Sequence, residues 1–141
     1  MTEPELRRVH RFWDVEACGT HQVRAQPGTR GFLESYTRHR FETMWWIREI
    51  IPFEVARGKE MLEIGCGNGA DGILFAQHGA HYTGVDLTET AVEAARRHFE
   101  MMALKGVFQT ENAERLTFED ESFDIVYSFG VGRMAVEGLK L

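Results

Sequence analysis

The chain has 141 residues, of which 43% are hydrophobic and 27% are charged, and its formal net charge is −6. This length indicates one domain, and the composition excludes a disordered or fibrous protein. The negative charge argues against a general nucleic-acid-binding protein, which needs a basic face for the phosphates.

Targeting signals and cysteines point to one compartment. No apolar run reaches the roughly 20 residues that a membrane-spanning helix needs. The acidic, polar start lacks the basic and apolar regions of a signal peptide. The two cysteines, Cys18 and Cys66, make no disulfide framework, and free thiols suit a reducing compartment. We therefore expect a cytoplasmic protein without membrane contact.

The first 58 residues predict a cap segment that is partly helical and partly irregular. A short helix is expected over residues 4–13, followed by a loop that contains several glycines and a proline. Residues 32–51 carry apolar or aromatic side chains at helical spacing without glycine or proline, which predicts one long helix.

From residue 59 onward, predicted strands alternate with helices. Alternation of this kind implies right-handed crossovers and a parallel sheet. Thr88 is expected to begin the second helix, with Thr90 and Glu93 as an alternative capping box. The predicted strands span residues 59–64, 81–86, 106–110 and 123–128, and the first helix spans residues 70–78. The fold class is therefore α/β, a Rossmann-like doubly wound parallel sheet, with residues 59–131 as the ligand-binding half-domain.

A glycine-rich loop joins the first predicted strand to the helix after it. Glu63 is followed by Gly65, Gly67 and Gly69, which let the backbone turn sharply and approach a ligand closely. Asp86 ends the second strand, where a carboxylate can accept hydrogen bonds from ribose hydroxyls. We expect a ligand that contains a nucleoside, bound beyond the carboxyl ends of the strands.

Two classes of ligand fit this loop. A dinucleotide such as NAD fits the G-x-G-x-x-A spacing of residues 65–70, which would make the chain half of an oxidoreductase. S-adenosylmethionine fits the acid before the glycines, because Glu63 would repel a pyrophosphate and attract an ammonium or a sulfonium. Glu63 therefore favours S-adenosylmethionine, and NAD remains the alternative.

Three segments together resemble the class I S-adenosylmethionine-dependent methyltransferases. Residues 63–69 resemble the family's acidic-x-Gly-x-Gly-x-Gly motif, and residues 83–87 resemble its second strand with the ribose-binding acid. Residues 112–128, NAERLTFEDESFDIVYS, resemble the segment that leads into its fourth strand. The resemblance implies strand order 3-2-1-4 and methyl transfer to an acceptor. Weaker likenesses at residues 12–20 and 36–42 imply a small-molecule acceptor. The net charge disfavours a nucleic-acid partner, and the absence of a Cys or His cluster predicts no metal site.

The resemblance also assigns roles to individual residues. Glu63 would hold the methionine ammonium, and Asp86 would hold the ribose hydroxyls. Asn112 stands where the family usually has an aspartate beside the adenine amino group. The implied cofactor-binding residues are Glu63, Gly65, Cys66, Gly67, Gly69, Asp86, Leu87, Asn112, Ala113 and Ser128. No catalytic base is assigned.

The resemblance ends soon after the fourth strand. The family's sheet has seven strands, and residues 132–141 form an atypical tail that does not match the segment expected there. Truncation, a frameshift, an expressed fragment and natural divergence all remain open, as does a fragment without turnover. An apolar fourth strand without a fifth beside it predicts a homodimer through that edge, low solubility, or a tail folded over it.

Overall fold

A parallel four-stranded sheet is the centre of the computed structural model, which describes residues 1–15 and 22–129. The strands are β1 (Glu60–Ile64), β2 (His81–Asp86), β3 (Val107–Thr110) and β4 (Ile125–Ser128). They lie in the order β3-β2-β1-β4, which confirms the predicted α/β class and its 3-2-1-4 strand order. The helices are α1 (Glu3–Val15), α2 (Arg30–Thr43), α3 (Trp46–Ile50), α4 (Ala70–Gln77) and α5 (Glu89–Met101), with a 3-10 turn over Phe53–Ala56.

The central strand β1 sets the position of the site. Its last four side chains, Met61 to Ile64, are all buried, as expected for a strand covered on both faces. In the register, Ile64 lies opposite Val85 of β2 and Ser128 of β4. The carboxyl ends of these strands therefore meet at one edge of the sheet, where the glycine loop and Asp86 both lie.

The cap segment packs on the sheet through the largest apolar cluster. Side chains from its helices and 3-10 turn share this cluster with strand and helix residues that follow. The buried members are Leu33, Phe41, Ile47, Phe53, Ala56, Met61, Ile73, Phe75, Tyr82 and Phe99. A smaller cluster around Leu62, Ile64 and Val85 lies against partly buried residues between positions 113 and 126.

The single long helix predicted over residues 32–51 is wrong in one respect. A turn at Met44 and Trp45 divides it into α2 and α3, although no glycine or proline marks the position. At about 100° per residue, an unbroken helix would place Ile47 about 120° around from Phe41. The turn lets both side chains enter the same core, and it leaves the Trp45 side chain exposed.

Thr88 is the N-cap of α5, which confirms the first of the two predicted helix starts. Its side-chain oxygen accepts a hydrogen bond from the Ala91 N–H at 3.3 Å. Thr90 instead donates its hydroxyl to Asp14 of α1 at 2.7 Å.

None of the helices in residues 1–15 and 22–129 has the length and hydropathy of a membrane span. Cys18 and the predicted tail, residues 132–141, lie outside the described residues.

Candidate functional site

A cavity of about 410 Å³ lies at the carboxyl edge of the sheet. Eight of the ten residues expected to bind a cofactor line it: Glu63, Gly65, Cys66, Gly67, Asp86, Leu87, Asn112 and Ala113. Gly69 lies beneath the loop, where an added Cβ would come within 3.2 Å of the Ala95 Cβ. Ser128 is exposed at the end of β4, at the same edge of the sheet.

The glycine loop takes its shape from backbone conformations that favour glycine. Gly65, Gly67 and Gly69 have φ angles of 75°, 54° and 83°, all in the left-handed region. The N–H groups of Gly65 and Cys66 both donate to the carbonyl of Val85, at 2.8 and 2.9 Å. The loop is thereby fixed across the ends of β1 and β2, and a Cβ at Gly67 would meet no protein atom within 4 Å.

Asp86 connects the glycine loop to α5. Its Oδ2 accepts the Gly67 N–H at 2.9 Å, and its Oδ1 accepts the Thr88 N–H at 3.2 Å. A carboxylate offers about four lone-pair positions, so it can still accept hydrogen bonds from a ligand. Asp86 is half-buried and lines the cavity, which places its remaining acceptor capacity where a diol could bind.

Glu63 is a buried acid whose side chain also lines the cavity. Burial and the nearby Asp71 carboxylate raise the pKa of Glu63 well above its usual range. The Tyr82 hydroxyl donates to Glu63 Oε2 at 2.5 Å and so favours the ionised form. A cation placed in the cavity would favour ionisation further, so this carboxyl is suited to a positively charged ligand group.

Tyr82 was not expected to contribute to the site, and two glycines make its position possible. A Cβ on Gly72 of α4 would lie 2.4 Å from Tyr82 Cζ, and one on Gly84 would lie 2.7 Å from its hydroxyl. The ring also stacks on Phe99, with centroids 4.9 Å apart. Because Gly72 and Gly84 have no side chains, they leave space for the phenol of Tyr82, and its hydroxyl reaches Glu63. Glycines at both positions were the only sequence signal for this contact.

An ion pair between Arg40 and Asp71 lies near Glu63. Arg40 of α2 donates to both carboxylate oxygens of Asp71, at 2.7 and 2.6 Å, and Tyr127 donates to Asp71 Oδ2 at 2.9 Å. Burial opposes the charge of Arg40, but the hydrogen bonds and charge of Asp71 outweigh burial and raise its pKa. The structure places both Tyr36 and Arg40 on the cavity wall.

Cys66 is buried, and this burial together with the charges of Asp86 and Glu63 raises the pKa of its thiol well above the usual value. A thiol with a raised pKa is a poor nucleophile at neutral pH. Cys66 therefore serves as a small residue of the loop.

The far end of the cavity is built from the segment after β3. Asn112 Oδ1 accepts the Glu114 N–H at 3.0 Å, which orders the turn, and the same oxygen keeps a second lone pair. Leu87 lies across from this turn at the end of β2, and Ala113 packs against the cluster beneath it. Leu87 and Ala113 add apolar surface to the cavity lining and Asn112 adds a hydrogen-bonding group, a combination that suits an aromatic base.

Helix α1 covers the cavity from above. Leu6, Val9 and Trp13 recur along one face of α1, and all three line the cavity. The helix has no buried residue of its own, and its link to α5 includes the hydrogen bond from Thr90 to Asp14. A ligand in the cavity would therefore supply much of the surface on which α1 packs.

The cavity lining is acidic on balance. Among the described residues, five carboxyl groups line it together with Arg40 and Met1: Glu63, Asp71, Asp86, Glu111 and Glu114. Arg40 pairs with Asp71, and the Met1 ammonium lies 3.5 Å from Glu114 Oε2. An isolated pyrophosphate would meet repulsion from this wall, whereas a cation would meet attraction. The charge distribution therefore opposes a dinucleotide and favours a ligand that carries a positive charge beside its nucleoside.

Comparison with known proteins agrees with this geometry. A family model described as a methyltransferase domain matches residues 61–139. A ubiquinone biosynthesis O-methyltransferase of Coxiella burnetii is 39% identical over 70 residues, which are 50% of this chain and 30% of that protein. A phthiotriol/phenolphthiotriol dimycocerosates methyltransferase of Mycobacterium ulcerans is 39% identical over 71 residues, 49% of this chain and 26% of that one.

A solved structure gives the same result. The tRNA (uracil-54, C5)-methyltransferase of Pyrococcus abyssi, in complex with S-adenosyl-L-homocysteine, superposes with a TM-score of 0.51 and 27% identity. The match covers 61% of this chain and 21% of that one. The chain spans less than a third of the length of the two curated relatives. Since the family model covers more than half of the residues, the chain belongs to the methyltransferase domain family.

Proposed function

We propose that the chain binds S-adenosylmethionine in this cavity and forms the donor-binding part of a methyltransferase that acts on a small molecule. The acidic wall around a glycine loop and Asp86 carries the proposal, because this ligand combines a nucleoside with an ammonium and a sulfonium. Its volume, on the order of a few hundred Å³, also fits a cavity of about 410 Å³.

The methionine part of the ligand would bind near Glu63 and Arg40. The Glu63 carboxylate would accept hydrogen bonds from the ammonium, directly or through water. The Arg40 guanidinium lines the same cavity and would attract the ligand carboxylate, while Asp71 keeps its plane fixed.

The ribose would bind between the glycine loop and Asp86. Gly65 and Gly67 would allow the ligand to lie against the backbone, and Asp86 would accept hydrogen bonds from the two hydroxyls. Cys66 would line the same wall, and Gly69 would act from below by letting α5 pack closely against the loop. The glycines thus have two different functions within one motif.

The adenine would occupy the far end of the cavity. Leu87 would pack on the base, and the Ala113 N–H would donate to a ring nitrogen. The Asn112 carbonyl would accept a hydrogen bond from the adenine amino group through its remaining lone pair. Each of these roles uses a group that lines the cavity.

The bound cofactor supplies an electrophilic methyl group on a positively charged sulfur. The chain's own residues would orient that group, exclude water beneath α1 and keep the acidic wall close to the sulfonium. Ser128 lies at the end of β4, where we place the methyl end of the site. We assign no catalytic base.

The acceptor class follows from the relatives and from charge. The ubiquinone and phthiotriol enzymes act on small molecules by their names, which supports a small-molecule acceptor here. A net charge of −6 disfavours a nucleic-acid acceptor, although the fold itself also occurs in a tRNA enzyme. We propose a cytoplasmic location because the two cysteines form no disulfide framework, and free thiols suit a reducing compartment.

We also propose that two copies pair through the outer edge of β4. Among residues 22–129, β4 has β1 as its sheet neighbour, and Ile125 and Val126 are half-buried. Light scattering over a concentration series tests this pairing. A monomer at every concentration would contradict it, and a β4 edge protected in that monomer would indicate cover from residues 130–141.

Isothermal titration calorimetry tests the proposed function. S-adenosylmethionine and S-adenosylhomocysteine should bind, and NAD should bind at least about tenfold more weakly because the cavity wall is acidic. NAD binding more tightly than either would overturn the proposal. Binding of the donor without transfer to any of a panel of quinols, phenols and alcohols would restrict the chain to cofactor binding.

A further inference from the structure

A buried histidine outside the cavity ties two of its walls together. His98 of α5 is completely buried. Its Nε2 accepts the Gly28 N–H at 3.0 Å, and its Nδ1 lies 2.8 Å from the Asn68 carbonyl oxygen. Phe32 of α2 stacks on the ring, with centroids 5.6 Å apart and an interplanar angle of 15°. The ring thus contacts both the glycine loop and the segment that leads into α2.

The two partners determine the protonation state of His98. A carbonyl oxygen only accepts, so Nδ1 must carry the hydrogen that bonds to Asn68. A backbone N–H only donates, so Nε2 must be without a hydrogen where it meets Gly28. Protonation would place two donors against each other at Gly28. Burial lowers the pKa of His98, which agrees with a neutral ring.

The two segments joined by His98 both carry residues that line the cavity. Asn68 stands between Gly67 and Gly69, and its own Oδ1 accepts the Ala70 N–H at 3.2 Å. Gly28 precedes Thr29, the N-cap of α2, whose side chain accepts the Phe32 N–H. Helix α2 in turn carries Tyr36 and Arg40 to the cavity. His98 is therefore placed to fix the distance between these segments.

Two arginines lie on the elements that His98 joins. Arg97 of α5 lies beside Gly28, and its Nε donates to Glu93 at 3.2 Å. Arg30 at the start of α2 reaches the Met101 carbonyl oxygen at 3.5 Å. Both ring nitrogens of His98 already meet backbone groups, so a proton on Nε2 would have no acceptor there. Burial lowers the pKa of His98, and the hydrogen bond to the Asn68 carbonyl oxygen opposes this effect.

We propose that neutral His98 is a positioning residue that holds the glycine loop and the start of α2 in the arrangement that binds the cofactor, and that its protonation weakens binding. The proposal rests on the proposed function. Loss of the Gly28 hydrogen bond and the new donor contact should weaken binding about three- to tenfold on acidification.

The first experiment is calorimetric titration with S-adenosylhomocysteine between pH 5.5 and 8. The wild type should bind more weakly at low pH. H98Q, which supplies one donor and one acceptor but does not titrate, should lose less affinity at low pH than the wild type, and the double variant H98Q/E63Q should bind with little pH dependence. H39Q removes an exposed histidine of α2 and should behave as the wild type. E63Q should keep the loss at low pH, which separates His98 from the titration of Glu63.

The second experiment needs no ligand and no variant. Nuclear magnetic resonance of the wild type should show His98 as the Nδ1–H tautomer at pH 8, titrating below the ordinary histidine range. Hydrogen exchange of the Gly28 amide should accelerate, relative to that of Leu33, as His98 becomes protonated.

The outcomes separate the two proposals. Binding with a pH profile that H98Q leaves unchanged would overturn the role of His98 and leave the proposed function intact. An Nε2–H tautomer, or a Gly28 amide insensitive to His98 titration, would overturn it as well. Absence of binding at every pH would contradict the proposed function and, with it, the effect of His98 on the cofactor.

Discussion

Asp86 holds the glycine loop with one carboxylate oxygen and the start of α5 with the other. A residue with both structural and ligand contacts is poorly tested by truncation, because alanine would remove all of them together. Asparagine keeps one carbonyl acceptor and removes the charge. It is therefore the more informative substitution at this position.

We expect D86N to raise the dissociation constant of S-adenosylmethionine at least about tenfold, since hydrogen bonds to charged groups contribute about 1.5–3 kcal/mol. Calorimetry measures this change. The matched control is D124N, because Asp124 accepts the Glu60 N–H at 2.9 Å at the opposite edge of the sheet. Equal dissociation constants for D86N and D124N would show that Asp86 only supports the loop.

Glu63 illustrates a conflict between stability and binding. Burial and Asp71 raise its pKa, so the folded chain binds more protons than the unfolded chain above pH 4.5. Stability from this group is therefore present at low pH and is lost as the pH rises toward the raised pKa.

We expect E63Q to stabilise the ligand-free protein at pH 8 by roughly 1 kcal/mol, or about 3–5 °C in melting temperature, and to have less effect at pH 5. The same variant should bind S-adenosylmethionine more weakly. Calorimetric melting at both pH values tests the first part, with E42Q on the exposed side of α2 as control. A lower melting temperature at pH 8 would mean that the Glu63 carboxylate stabilises the fold.

At the scale of elements, the glycine loop contains positions that differ in what surrounds them. Gly67 has open space beyond its Cα, whereas Gly69 faces Ala95 and Phe99 of α5 at 3.2 and 3.3 Å. Both have left-handed φ angles. The sequence motif makes these glycines look equivalent, but the packing of α5 separates them.

We expect G69A to destabilise the fold by about 2–4 kcal/mol, since left-handed strain adds to crowding against α5. G67A should cost only about 1–2 kcal/mol, from strain alone. Ligand affinity should show the reverse order, because a methyl group at Gly67 would project into open space at the cavity. Urea denaturation of both variants measures the loss of stability, and calorimetry measures the loss of ligand affinity. Together they test whether the two losses fall in opposite order. A greater loss of stability in G67A would contradict it.

The elements that were predicted correctly carry local signals. Short apolar runs mark β1 and β4, and a glycine lies within two residues before β2 and β3. Thr88 caps α5 through a side chain near in sequence. The turn at Met44 and Trp45 has no such signal. It follows from burial of Ile47 in a core made largely by later residues, which no local window contains.

The residues of the site also fall into those that the sequence predicted and those that it did not. The glycine loop and Asp86 were recognisable because their spacing along the chain is fixed by one strand, one helix and the next strand. The contacts of Tyr82 with Glu63, Arg40 with Asp71 and His98 with Asn68 join residues 19, 31 and 30 positions apart. These pairs depend on how α2, α4 and α5 pack on the sheet, so the sequence contained the partners without indicating the pairing.

For the molecule as a whole, α1 is the least anchored part of the cavity. It has no buried residue, and its inner face lines the cavity. We expect S-adenosylhomocysteine to slow tryptic cleavage at Arg7, Arg8 and Arg11, because a bound ligand would give α1 a surface to pack on. Mass spectrometry of timed digests measures this protection. Cleavage at Lys105, an exposed position after α5, is the internal control.

Equal slowing at Lys105 would indicate global stabilisation by the ligand rather than local cover by α1. Unchanged cleavage at the three arginines, in a protein that binds the ligand, would contradict the covering role of α1.

The position of β4 beside β1 has a consequence for the order of folding. The contacts of β1 with β2 and of β2 with β3 close short crossovers, whereas β4 joins β1 across 60 or more residues, as in the bond from the Asp124 N–H to the Glu60 carbonyl oxygen. Loop-closure entropy therefore favours late docking of β4. Docking brings the Tyr127 hydroxyl to Asp71, whose side chain lines the cavity. A ligand that recognises the finished cavity should thus slow unfolding in stopped-flow experiments and leave the folding rate almost unchanged.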